Sequence, residues 1–560
     1  MSTSGIPQAA REPGAAPAAP CPPPVPGRPA APRPPARAWP GARPGARPGA
    51  GVPGPRAALR LPAALDPARL RNLPGLGRLG AAPAPAPSRV GELPGAPGLP
   101  PRGGRPARPG RAARRAPYAL VCALFLAYTV LSVSRHRRLE ESSWDLGIFE
   151  QAVRAYAHLR PPVVDLKGPG FNILGDHFSP VIALIAPLYR AFPGPVTLLV
   201  VQAALFALSA LPVTRASVRL LGTARGLALG AAYGLSWGIQ RAVDFDFHEI
   251  CFAVPLLAFS LEALLARRWR PALAWAVPLL LVKEDLGATL AALALVVAWR
   301  ARGDGRRAVR PALATALAGV LAAAAVFAVV IPAFAAGGYP YWEKLGGDGG
   351  LLRGLGTKLT TLGWVLVPTT GLLALRSPLL LVAVPTLGWR FLSGDAHYWS
   401  TDFHYSAVLM PVVCLALADA LDAARRDRRP WLRAYALQLP GAVLAAALAL
   451  SATSMPLARL GEGATYREPD RVAAVEALLA RIPDGAEVEA DNGVLTRLTS
   501  RCRVFWIGNT QGVRPAYLVF DNSTGWAGED PVAYAGQLHP GSRFVPVGGA
   551  GGVVLLQRVF

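Results

Sequence analysis

The chain of 560 residues is 52% hydrophobic and only 16% charged, and its apolar residues come in long blocks. That balance excludes an ordinary soluble protein and points to a multi-pass membrane protein. The formal charge of +24 does not argue for a nucleic-acid partner: residues 1–116 hold 18 Arg against the three acids Glu12, Asp66 and Glu92, and the remainder is only mildly basic.

In chain order, residues 1–116 are Pro, Ala, Gly and Arg with almost no aromatic or β-branched side chains. They cannot bury enough apolar surface to offset their ordering entropy and are expected to form a disordered cytoplasmic arm. An arm held at anionic headgroups by Arg, an inert tail and an over-extended gene start all remain open. No signal peptide is expected, since the first apolar run begins only near Tyr118. The five cysteines show no C-x-x-C spacing, so neither a zinc site nor a disulfide framework is indicated.

The transmembrane region, 117–455, predicts about eleven transmembrane helices near 117–134, 195–213, 225–240, 250–266, 271–283, 285–300, 311–335, 361–376, 378–393, 404–423 and 433–454. The block 271–300 reads either as one long helix interrupted by "KED" or as two short helices turning at Lys283–Asp285. Four Arg-rich connections, "RASVRLLGTAR", "ARRWRP", "RARGDGRRAVRP" and "DAARRDRRPWLR", are assigned to the cytoplasm. This threading makes 271–300 cross twice and lays 177–194 along the interface. It also brings "SSWDLGIFEQ", "GDHFSP", "DFDFHE", "KED" and "YWSTDFHYS" out on one extracytoplasmic rim. Residues 456–560 change character, with a helical stretch in "EPDRVAAVEALLARIP", strands in "AEVEAD", "RVFWIG" and "AYLVFD", and a closing hairpin, and predict a small extracytoplasmic α/β domain.

Ionisable groups at a membrane rim are costly unless paired or hydrated, so each cluster is a candidate for binding or chemistry. Asp145 starts an amphipathic helix, as a general base or as part of a helix cap with Ser143. His177 would take a proton or hold a metal with Asp176 beside it, or simply anchor the interfacial segment. If extended, Asp244, Asp246 and His248 share one face and Glu249 the other, a face able to hold a divalent cation through Asp246 and His248, or to pair with Arg241. Lys283 could neutralise a phosphate oxygen, while Glu284 and Asp285 pair with it or with an Arg, or the three form a self-neutralised turn. Tyr398, Trp399, Asp402, His404 and Tyr405 combine rings and carboxylates as a sugar site does, although the aromatics also suit an interface belt.

Taken together, "WDLGIFEQ", "HFSPVIALIAPLY", "FDFHE", "KED", "IPAF", "HYWSTDFHYSAVLMP" and "IPDGAEVEADNG" resemble a bacterial multi-pass family known as domain of unknown function 2079. The architecture is more distantly similar to the C-type (GT-C) glycosyltransferases, which take a sugar from a polyprenyl-phosphate donor on the outer face of the plasma membrane. That resemblance implies a lipid-linked sugar and an envelope acceptor as partners, and puts Asp145 in the place of the loop acid. In place of paired loop acids, however, Asp145 is followed by Leu146. The expectation is a GT-C-like α-helical polytopic protein transferring a sugar, with Asp145 and His177 catalytic and the other cluster residues binding substrate. The rival is a transporter or envelope-assembly protein in which the same groups relay protons or select a solute.

Overall fold

The computed structural model describes residues 111–141, 143–335 and 352–559, so the expected arm falls outside it except for its last six residues. Those six belong to the first helix, α1 (Arg111–Arg137), which starts earlier than its apolar run and carries Pro117 inside it. There follow α2 (Asp145–Ala157), a 3-10 run at Pro180–Ile185 leading into the short α3 (Ala186–Ala191), and α4 (Pro195–Leu221). Next come α5 (Thr223–Gly234), α6 (Trp237–Asp244), α7 (Ala253–Leu265), α8 (Trp269–Ala276), α9 (Leu286–Ala301) and α10 (Arg306–Ala325). A π-helical turn at Val326–Val330 joins α10 to α11 (Ile331–Phe334), and the helical region closes with α12 (Leu355–Thr370), α13 (Val384–Leu392), α14 (Leu409–Ala424) and α15 (Pro430–Thr453).

Among the described residues, five helices are long and apolar enough to cross a membrane: Arg114–Arg137, Pro195–Leu221, Leu286–Asp304, Arg306–Phe334 and Pro430–Thr453. The other apolar runs are shorter or broken by 3-10 stretches. Residues 271–300 divide into two packed helices with their turn at 282–285, so the polar "KED" lies between helices rather than inside one. At Gly287 a Cβ would lie 2.6 Å from the Gly319 carbonyl oxygen, and at Gly319 one would lie 2.8 Å from that of Gly287, so these glycines let α9 and α10 approach backbone to backbone. Helix α14 is buried along nearly its whole length, with α4, α7 and α12 packed on it. The run expected to begin a helix at His404 becomes helical only at Leu409, which leaves His404 and Tyr405 on an irregular segment.

The Arg-rich connections also meet. Arg267 and the Trp269 indole both bond Asp304 at 2.7 Å, Arg425 reaches the Leu220 carbonyl, and Arg300 pairs with Asp419.

After a helix, α16 (Asp470–Leu479), a five-stranded mixed sheet forms in the order β2-β1-β3-β5-β4. Strand β1 (Glu487–Ala490) runs parallel to β2 (Arg503–Trp506) and β3 (Tyr517–Asp521); α17 (Pro531–Leu538) precedes β4 (Phe544–Ala550), which forms an antiparallel hairpin with β5 (Val553–Arg558). The strands expected from the sequence are all present. What alternation could not show is the dock: Val488, Val504 and Leu495 join the same buried apolar cluster as Leu146 and Phe149 of α2.

Candidate functional site

Helix α2 sets the site. The N-cap of α2 is Trp144, and the Ser143 hydroxyl accepts from the Asp145 amide at 3.1 Å, so Ser143 satisfies that first amide and the Asp145 carboxylate is left for other use. That carboxylate faces a cavity of about 380 Å³, where no hydrogen bond or ion pair holds it among the described residues. It stands in the first turn of α2, where the helix dipole favours negative charge.

All five polar segments reach this cavity. Its wall includes Asp145, Asp176, His177, His248, Lys283, Glu284, Asp285, Tyr398, His404 and Tyr405 from the expected set. One network runs across the floor: Lys167 pairs with Asp176, His177 Nδ1 lies 2.9 Å from Glu284 Oε1, and the other Glu284 oxygen accepts from the Phe178 amide at 3.1 Å. Burial and the Lys283 charge depress the His177 imidazolium, but Asp176 and Glu284 outweigh them and raise its pKa. A second network joins Lys283 Nζ to Glu249 at 3.0 Å, with His248 Nδ1 2.5 Å from the other Glu249 oxygen. That last approach, between neighbouring residues, lies outside hydrogen-bond geometry. The His248 ring stacks on His404 with centroids 3.6 Å apart, and the buried His404 Nδ1 has no hydrogen-bond partner among the described residues.

Four expected residues do not line the cavity. Asp246 adopts a positive φ of 72°, which breaks the alternation and turns its carboxylate onto the Ser143 amide at 2.9 Å and toward Arg135. The extended face with Asp246 and His248 side by side therefore does not form. Among the described residues no group of three or more His, Cys, Asp or Glu side chains is placed to hold a metal ion. Glu249 is completely buried one layer behind the wall, as partner of Lys283. Trp399 is buried under Lys358, whose ammonium lies 4.4 Å from its ring centroid. Asp402 is half exposed and lies 3.8 Å from Arg241, the residue expected to pair with the acids after α6.

Sequence reasoning missed Trp144, Lys167, Phe327 and Trp389, which also line the cavity. Lys167 carried a usable signal as the lone Lys between the first two acidic motifs, whereas the rings looked like any apolar residue near a membrane.

A helical bundle that holds, among the described residues, five helices of membrane length is the build of a multi-pass membrane protein. The chain belongs to the family described as Predicted membrane protein (DUF2079), whose model matches residues 135–346 and 349–528. No curated protein matches it. Its fold is similar to that of ArnT from Cupriavidus metallidurans bound to undecaprenyl phosphate, with 15% identity and a TM-score of 0.52 over 79% of this chain and 98% of that one. The apo state of the same ArnT aligns over the same shares at 13% identity and a TM-score of 0.45.

Proposed function

We propose that this protein transfers a sugar from a polyprenyl-phosphate donor to an acceptor hydroxyl at the outer face of the membrane. The observation that carries the reading is the meeting of five sequence-distant polar segments at one cavity with an unpartnered carboxylate, Asp145, on its wall. A fold like that of a protein that binds undecaprenyl phosphate supports the donor class.

In this reading Asp145 takes the proton of the acceptor hydroxyl as its oxygen attacks the anomeric carbon. The carbon–oxygen bond to the lipid phosphate breaks with inversion, and the phosphate leaves beside Lys283, whose ammonium keeps protons free beyond its Glu249 contact. Tyr398, Tyr405 and the stacked imidazoles of His248 and His404 would shape the sugar pocket, with His404 Nδ1 meeting a hydroxyl. His177, held by Glu284 and Asp176, would bear on the departing phosphate as a cation.

The finer topology belongs to the same proposal: about eleven crossings, a transmembrane region over 117–455, and the domain 456–560 outside. The two packed helices of 271–300 support the double crossing that this threading needs. Gathering of the Arg-rich connections apart from the acidic rim supports the sidedness.

The direct test is binding of undecaprenyl phosphate to the purified protein in nanodiscs. Saturable binding that weakens tenfold or more in His177→Ala, which loses the cation set against the phosphate, and is unchanged in Asp402→Asn is expected. Equal binding by all three proteins, or none by the wild type, would remove the donor assignment.

A further inference from the structure

Three of the cavity-lining side chains, Tyr398, His404 and Tyr405, come from a segment that is neither α-helix nor strand between α13 and α14. Irregular backbone at membrane depth needs its polar groups satisfied within the protein. One residue supplies most of that. Arg390, on α13, has no exposed surface and spends its guanidinium entirely on this segment. Its Nε donates to the Tyr398 carbonyl at 2.8 Å, Nη2 to the Ser400 carbonyl at 2.8 Å, and Nη1 to the Ser406 hydroxyl at 3.2 Å and the Tyr405 carbonyl at 3.4 Å.

Every one of those acceptors is neutral, and no carboxylate among the described residues pairs with Arg390. Burying a cation without a counter-ion is expensive, and a neutral donor such as Gln offers fewer bonds but avoids the cost. The planar five-donor fork explains why Arg holds three backbone carbonyls and a hydroxyl at once. The uncompensated charge has a second effect, because its guanidinium carbon sits 5.8 Å from the ring centroid of Tyr405, a cavity-wall residue. A positive charge one layer behind that wall favours an anion in the cavity.

We propose that Arg390 is a positioning residue: it clamps residues 398–406 so that Tyr398, His404 and Tyr405 face the cavity, and its unpaired charge biases that cavity toward an anionic ligand. For the identity of the anion, a lipid phosphate, this rests on the transferase reading; for its geometry it does not.

The experiment compares Arg390→Lys and Arg390→Met with wild type in nanodiscs by two measurements. Hydrogen exchange reads the clamp: residues 398–406 should exchange at least tenfold faster in Arg390→Met and less so in Arg390→Lys, with residues 145–157 unchanged in both. Binding of undecaprenyl phosphate against uncharged undecaprenol reads the charge. Wild type and Arg390→Lys should prefer the phosphate, and Arg390→Met should lose most of that preference. Unchanged exchange in folded Arg390→Met overturns the clamp, and an unchanged preference overturns the charge effect. If the wild type binds neither lipid, the donor reading and the charge effect both fall, and the exchange result alone decides the clamp.

Discussion

A single side chain shows how function and folding share one motif. Within "WDLGIFEQ", Asp145 opens onto the cavity, whereas Glu150 is completely buried and accepts from the Tyr189 hydroxyl at 2.9 Å and from the Thr499 hydroxyl. Burial raises the Glu150 carboxyl to about 7, against the lowering effects of Thr499, Tyr189 and Arg154. Its folded state binds the proton more tightly than the unfolded chain does. This contribution to stability is therefore fully present below the ordinary carboxylate range and is lost as pH rises through about 7. Glu150→Gln should remove that loss, so the wild-type melting temperature minus that of the variant falls between pH 5 and 8. A difference that stays flat over that range would show that Glu150 is ionised throughout. Amphipathic periodicity alone does not tell the cavity-facing Asp145 from the buried Glu150, since the partners that enclose Glu150, Tyr189 and Thr499, are distant in sequence.

At the scale of elements, α2 is the hinge piece. Its near end presents Asp145 and its far side carries the C-terminal sheet and the turn before β2: Gln151 donates to the Val504 carbonyl at 2.8 Å, and Arg154 to the carbonyls of Thr499 and Cys502 at 2.9 and 2.8 Å. Gly147 permits the close fit, since a Cβ there would lie 2.3 Å from Leu495 Cδ1 and 2.9 Å from Leu166 Cδ1. Gly147→Val should therefore loosen the dock and make residues 456–559 more susceptible to limited proteolysis, and resistance equal to wild type would show that Leu495 simply moves aside. Arg154→Met, which loses two charge-assisted bonds, should weaken the same dock by about 2 kcal/mol. The helices and strands were legible because periodicity reports burial. Their breaks were less so: the late start of α14 and the positive φ at Asp246 come from tertiary contacts that periodicity does not encode. The α2 dock was not legible at all, because its acceptors are backbone carbonyls that leave no mark on composition.

At the scale of the whole molecule, topology does the assembling. The residues from Asp145 to Tyr405 reach one cavity because the helices between them return each polar segment to the same end of the bundle. Sidedness makes a separate prediction: protease added to intact spheroplasts should cut within 456–559, and protection of that region until the membrane is opened would reverse the orientation. The measurement that bears most directly on the central claim is sugar transfer from a polyprenyl-phosphate donor in nanodiscs by wild type, Asp145→Ala and Asp402→Ala. A general base contributes about 10²- to 10⁴-fold, so Asp145→Ala should lose at least a hundredfold in rate while still binding undecaprenyl phosphate, with Asp402→Ala near wild type. Transfer by Asp145→Ala at the wild-type rate would contradict the account.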